Sequence, residues 1–342
     1  MIRKIYKHPQ PFRLEQGETI GGLEICYHIS AEPIDPSKPV VWICHALTAN
    51  SNPEEWWPGM VGSGKYFDPA KYTIVCANIV GSCYGTTGPM SINPETGKKY
   101  RRDFPLITVR DWVSAHEILR SHLGIEKVYL ATGGSIGGFQ SLEWAIMHPQ
   151  TVENIVLIAS SYTQTPWAVA INETERMAIE ADATFFTDME GGGRAGLAAA
   201  RGLGLLTYRG YEAYNQTQAE VNQEKVEGFR VSSYQRYQGQ KLIDRFDAHS
   251  YHTITRSQDT HNVARGRGSF EKALAMVKAR TLSIGISSDI LFPTCEQQLM
   301  AKLIPGAEYA EIHSDFGHDG FLIESAQLEN LVDRFLSNRS AS

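Results

Sequence analysis

The stretch Lys127-Val128-Tyr129-Leu130-Ala131-Thr132-Gly133-Gly134-Ser135-Ile136-Gly137-Gly138 decides how the rest of the chain is read. An apolar run of strand character, Lys127 to Ala131, leads into a pentapeptide centred on Ser135. Residues at helical spacing then follow: Phe139, Leu142, Ala145 and Ile146. A strand that turns sharply into a helix crowds its own backbone, and glycine on either side of the serine tolerates that crowding. The pattern predicts a nucleophile elbow with the Ser135 hydroxyl projecting from the turn. The first amides of the helix would face the space above it, where a developing oxyanion would sit.

A serine nucleophile needs a base, and the base needs a group to orient it. In the α/β-hydrolase layout these follow the serine in the order acid, then histidine. The apolar run Thr281 to Ile286 reads as a buried parallel strand with Ser287-Ser288-Asp289 at its carboxyl end, and Asp289 is the expected acid. A short strand, Tyr309 to Ile312, leads to Ser314-Asp315-Phe316-Gly317-His318-Asp319-Gly320, and a final amphipathic helix is expected over Phe321 to Leu336. Among 11 histidines, His318 is singled out by its place on the loop before that helix. Asp315 and Asp319 are rival acids, ranked below Asp289 because residues on the same loop as His318 are poorly placed to brace it from behind.

The oxyanion hole of this layout takes one amide from the residue after the nucleophile, here Ile136, and one from the loop after an early strand. Val40 to Cys44 is that strand and His45-Ala46-Leu47-Thr48-Ala49-Asn50 the loop, so the Leu47 amide is the second expected donor. His45 is read as a support for this loop, since His318 fills the histidine's slot in the chain order.

Several strings together resemble one family. Cys44-His45-Ala46-Leu47-Thr48, Gly85-Thr86-Thr87-Gly88-Pro89, the Ser135 elbow with Leu142-Glu143-Trp144-Ala145, Tyr237-Gln238-Gly239-Gln240-Lys241, Arg245-Phe246-Asp247 and Gly317-His318-Asp319-Gly320-Phe321-Leu322 are similar to the homoserine O-acetyltransferase family over nearly the whole chain. The resemblance implies transfer of an acetyl group from acetyl-CoA to the hydroxyl of L-homoserine at the start of methionine biosynthesis. Ser135 would carry the acetyl group, His318 relay protons and Asp289 orient His318. It further implies that Arg201, in Gly196-Leu197-Ala198-Ala199-Ala200-Arg201, holds the amino acid carboxylate, that Tyr208 lines the site, and that Asp319 meets the ammonium. A zwitterionic substrate indeed needs one fixed cation and one fixed anion. Three positions depart from the common family pattern: Ile136 stands where methionine is usual, and Ala49 and His249 replace glycine and asparagine. The last two border the oxyanion loop and the lid, and so bear on the choice of donor and acceptor.

The organisation expected is an α/β-hydrolase fold. Strand-like runs at Val40–Cys44, Tyr72–Ile79, Lys127–Ala131, Asn154–Ala159, Thr281–Ile286 and Tyr309–Ile312 alternate with helical patterns, which predicts a mostly parallel sheet covered by helices on both faces. Between Ser161 and Gly268 strand signals vanish, and a helical lid is expected after the sixth strand. The core domain would comprise residues 1–163 and 269–342, and the lid 164–268. Trp167, Tyr208, Tyr234 and Tyr237 in the lid are expected to be mostly inter-helix core. A covered tunnel would favour transfer over hydrolysis by positioning homoserine and limiting water. If both substrates use it, the kinetics should be ping-pong.

With 342 residues, 42% hydrophobic and 20% charged, the chain is long enough for one α/β domain with an insertion. No stretch approaches a membrane span and the start lacks a signal-peptide core, so a cytoplasmic protein is expected. Five cysteines without paired spacing are expected as thiols. A net charge of −6 argues against nucleic acid as a partner. Arg265-Gly266-Arg267-Gly268 could meet CoA phosphates, but a loop closing the lid or an interface is the preferred reading. His116-Glu117 lacks the second histidine of a zinc-protease helix, Arg120 standing in its place, and no metal site is expected. No permanently bound cofactor is expected either, acetyl-CoA being a substrate. The resemblance and the helical insertion imply a homodimer joined through lid helices. The alternatives are transfer of succinyl or to serine, an esterase on the same scaffold, and a non-catalytic binding module, disfavoured by the ordered Ser135, Asp289 and His318.

Overall fold

The computed structural model describes residues 1–338. Among these, eight strands form the main sheet: β1 (Ile2–Lys7), β2 (Glu24–Ile29), β3 (Val40–Ile43), β4 (Thr73–Ala77), β5 (Val128–Gly134), β6 (Val152–Ile158), β7 (Arg280–Ile286) and β8 (Glu308–Ile312). Their order across the sheet is β1-β2-β4-β3-β5-β6-β7-β8. The pairings β1–β2 and β2–β4 are antiparallel and all others parallel. The antiparallel start is a feature that the apolar runs did not announce. β1 is an edge strand of mixed charged and apolar residues with no fully buried position, so it carries little hydrophobic signal.

In β3 all four residues are buried, yet they serve two cores. Val40 and Trp42 join one apolar cluster while Val41 and Ile43 join the other, as the two-residue period of a strand requires. Helices α1 (Val109–His122) and α2 (Ile136–Met147) supply the first cluster with Trp112, Leu119, Phe139 and Leu142. Further along the chain come α3 (Pro166–Glu180), α4 (Arg194–Tyr208), α5 (Tyr211–Gln218), α6 (Arg230–Ile243), α7 (Ala248–Asp259), α8 (Thr294–Leu303) and α9 (Ser325–Ser337). Of these, α9 covers the other face through Leu328, Val332 and Phe335, each worth roughly 1.5–3 kcal/mol when taken out of water.

Five of these helices, α3 to α7, lie between β6 and β7, after the sixth strand of the main sheet. Within this segment α6 lays Gly239 and Leu242 inward, with Gly239 against Ala198 of α4. Tyr237, on the opposite side of the helix, is 60% exposed, and Trp167 at the start of α3 is 53% exposed. The expectation that these two aromatics are inter-helix core is therefore corrected. The last helical stretch is also corrected: a short helix, Gly320–Ile323, is separated from α9 by Glu324 at φ −85°, ψ 47°. The Glu324 carboxylate accepts a hydrogen bond from the Ser314 hydroxyl at 2.8 Å, drawing the chain back to the loop that precedes it. All five cysteines are free thiols.

Candidate active site

The turn between β5 and α2 is tightly constrained. Ser135 has φ 59° and ψ −126°, a left-handed conformation unfavourable for any side chain but glycine. A Cβ on Gly133 or Gly137 would run into the carbonyl oxygen of Cys44 at the end of β3. Glycine at both positions lets the elbow sit directly against the neighbouring strand. Ser135 is thereby held at the mouth of α2, 8% exposed.

The loop after β3 is fixed by buried polar side chains. His45 is fully buried, donates from Nδ1 to the Ala46 carbonyl at 2.8 Å and accepts at Nε2 from the Ile79 amide at 3.1 Å. Burial holds it neutral, pulling its pKa down to about 4. Gln140 of α2 ties the loop to the elbow, its amide nitrogen donating to the carbonyls of both His45 (3.1 Å) and Ile136 (3.0 Å), while His116 bonds its other end at 2.9 Å. Among the described residues neither the Leu47 amide nor the Ile136 amide donates to another backbone group. His45 thus serves the loop as a support, outside the proton relay.

Asp289 sits at the end of β7 and is nearly fully hydrogen-bonded. Its Oδ1 accepts from the Leu291 and Phe292 amides at 2.8 and 3.0 Å, and its Oδ2 faces His318 Nδ1 at 2.7 Å. With a carboxylate on Nδ1, that nitrogen carries the proton and Nε2 is the basic one. Burial opposes the charged imidazole, but the charge and hydrogen bond of Asp289, with help from Asp319, raise the His318 pKa above its usual value. His318 Nε2 is buried without a hydrogen-bond partner. The Ser135–His318 bond is not closed in this structure, as is common before substrate arrives. Gly317, at φ +61°, turns the loop so tightly against the segment after α4 that a Cβ there would lie 2.7 Å from the Gly210 nitrogen.

Ser135, His318, Leu47, Arg201, Tyr208 and Asp319 all line one cavity of about 600 Å³. Asp289 and Ile136 stand behind it, the first bonded to His318 and the second buried at the head of α2. Among the described residues Arg201 pairs with no carboxylate, and its guanidinium lies over the Tyr208 ring, 5.6 Å from the centroid. Asp319 is different: its Oδ2 already accepts from Arg209 Nε at 3.2 Å. Burial raises the Asp319 pKa, and Arg209 and Arg201 counter that rise. Lys241 and Arg245 also reach the cavity wall, from the strings Tyr237–Lys241 and Arg245–Asp247 that carried part of the resemblance but were given no site role. Arg265 and Arg267 lie elsewhere, bound to Glu15 (3.0 Å) and Glu143. No group of side chains suited to a metal ion occurs among the described residues, and no helix there is long and apolar enough to cross a membrane.

Comparison with known proteins identifies the scaffold. The family profile for the alpha/beta hydrolase fold matches residues 39–325. The homoserine O-acetyltransferase of Cyclobacterium marinum is 44% identical over 335 residues, covering 98% of this chain and 95% of that one. The protein of that name from Moorella thermoacetica is 42% identical, covering 97% and 95%. Among solved structures, homoserine O-acetyltransferase from Bacillus anthracis superposes with a TM-score of 0.88 at 26% identity, covering 100% of this chain and 99% of that one. Esterase E22 shares the fold at a TM-score of 0.87 and 24% identity, covering 98% and 99%. An alpha/beta hydrolase scaffold matched end to end by these relatives means that the chain belongs to the homoserine O-acetyltransferase family.

Proposed function

We propose that this enzyme moves an acetyl group from acetyl-CoA to the hydroxyl of L-homoserine, in methionine biosynthesis, through an acetyl-Ser135 intermediate. The observation that carries the reading is the unpaired guanidinium of Arg201 in the same cavity as Ser135 and His318. A simple esterase has no use for an unpaired cation in the cavity that holds its nucleophile. An acceptor bearing a carboxylate does, because a guanidinium grips that group at two points.

In the first half-reaction His318 Nε2 takes the Ser135 proton as Oγ attacks the thioester carbonyl, and the amides of Leu47 and Ile136 receive the oxyanion. The carbon–sulfur bond breaks, and the sulfur leaves as CoA thiol with the proton returned by His318. In the second, homoserine is held by its carboxylate on Arg201 beside Tyr208, and by its ammonium on the Oδ1 of Asp319, whose Oδ2 serves Arg209. His318 takes the homoserine hydroxyl proton, that oxygen attacks the acetyl carbonyl, and Ser135 leaves reprotonated. CoA departs before the amino acid attacks, which is a ping-pong sequence. Asp289 keeps the imidazole in one tautomer throughout.

The test is to incubate the protein with acetyl-CoA without acceptor and weigh it. The reading expects one added acetyl group, located on Ser135, that homoserine removes as O-acetylhomoserine. An adduct that water clears as fast as homoserine does would make the protein a hydrolase.

A further inference from the structure

Glu175 has a place in the fold that the chemistry above does not use. It lies on α3, fully buried, and its Oε2 accepts a hydrogen bond from the Tyr251 hydroxyl at 3.0 Å. Its Oε1 has no partner. That oxygen lies against α4 where glycine leaves room: a Cβ on Gly204 would be 2.7 Å from Oε1 and 3.0 Å from the Tyr208 ring. The Tyr251 side chain also lies close to that of Tyr208. A buried carboxyl with one unmatched oxygen is costly, and apolar packing would have been the cheaper way to join three helices.

We propose that Glu175 is a positioning residue of the acceptor pocket, holding Tyr251 and through it Tyr208 against Arg201 while leaving that guanidinium unpaired for the acceptor's carboxylate. The proposal rests on the transferase reading. The groups facing Glu175 are Arg201 and Tyr208 from α4, Arg176 from its own helix, and Tyr251 and Asp259 from α7. Burial pushes its pKa up to about 8, against the Tyr251 hydrogen bond and the two arginines. At neutral pH the group is therefore mostly un-ionised and does not compete with the acceptor for Arg201. At higher pH it ionises, offsets the Arg201 charge and weakens acceptor binding.

The two half-reactions separate this role from a general effect on folding. Acetylation of Ser135 and the KM for homoserine are measured for the wild type, Glu175→Gln and Glu175→Ala. Glu175→Ala should raise the homoserine KM by about tenfold or more while acetylation stays within about twofold. Glu175→Gln keeps an oxygen for Tyr251 and cannot ionise. It should match the wild type near neutrality, and should lose the part of the alkaline fall in acceptor kcat/KM that is not due to the substrate's own ammonium. Equal slowing of both half-reactions by Glu175→Ala, or no change in either, overturns the proposal, as does a Glu175→Gln profile that falls like the wild type. If Glu175→Ala does not fold, the Glu175→Gln profile still decides. A wild type without any homoserine-dependent turnover overturns the transferase reading, and the proposal with it.

Discussion

His318 can accept the Ser135 proton only when Nε2 is free, so the raised pKa of its imidazole has a visible consequence. Acetylation should be lost as pH falls, with a midpoint above the ordinary histidine value near 6.5. Asp289→Asn removes the charge that raises it, and the midpoint should move down while the maximal rate drops by orders of magnitude. An unchanged midpoint in that variant would show that something other than Asp289 sets it. Arg201→Ala should raise the homoserine KM at least tenfold, the worth of about 1.4 kcal/mol, with acetylation unaffected. Equal loss in both steps would remove Arg201 from the acceptor pocket. At this scale the sequence was readable where chain order constrains chemistry: elbow, acid and histidine appear in turn, and the structure brings Ser135, Asp289 and His318 to one end of the sheet. Lys241 and Arg245 were not readable as site residues. Each is an ordinary helical or loop residue until the packing of α3 to α7 brings it to the cavity wall. Glu175 is likewise an ordinary helical residue until that packing buries it against Tyr251 and Gly204.

The elbow joining β5 to α2 depends on contacts that no local propensity describes. Gly137→Ala places a methyl group against the Cys44 carbonyl, a backbone atom that cannot rotate away. The elbow must then separate from β3, and stability should fall by about 1–3 kcal/mol, measured by denaturant unfolding. A variant as stable as the wild type would mean that the two strands are looser than their register implies. Parallel strands of the centre were legible because both their faces are buried and they read as continuous apolar runs. β1 was not, since an edge strand has little to bury. The interruption at Glu324 was hidden for a related reason: Phe321, Leu328, Val332 and Phe335 are all buried, so the apolar pattern continues across a break made by a side-chain hydrogen bond to Ser314.

Across the whole molecule, the inserted helices are anchored to the core by charge as well as by packing. Glu143 of α2, nearly fully buried, takes Arg110 Nε of α1 at 2.8 Å and Arg267, from the loop that follows α7. The positive run Arg265–Arg267 is thus engaged with carboxylates of its own chain, in keeping with a loop that closes the insertion. Glu143→Ala would leave Arg267 without a carboxylate and Arg110 with Glu15 alone, and a loss of roughly 3 kcal/mol in unfolding free energy is expected. A loss near zero would mean that the arginines find other partners at no cost. That a run of helices follows the sixth strand could be read from the alternation of patterns along the chain, whereas the order of strands across the sheet could not. How the insertion's helices roof the cavity depends on inter-helix contacts far apart in sequence, and there Trp167 and Tyr237 proved to face outward.

Release of free CoA from acetyl-CoA by the purified protein, with and without L-homoserine and with the product weighed, addresses the proposed reaction most directly. Sustained release that requires homoserine, with O-acetylhomoserine formed in equal amount, is the expected result. Sustained release that proceeds equally without any amino acid would contradict it, and would make the Ser135 site that of a hydrolase.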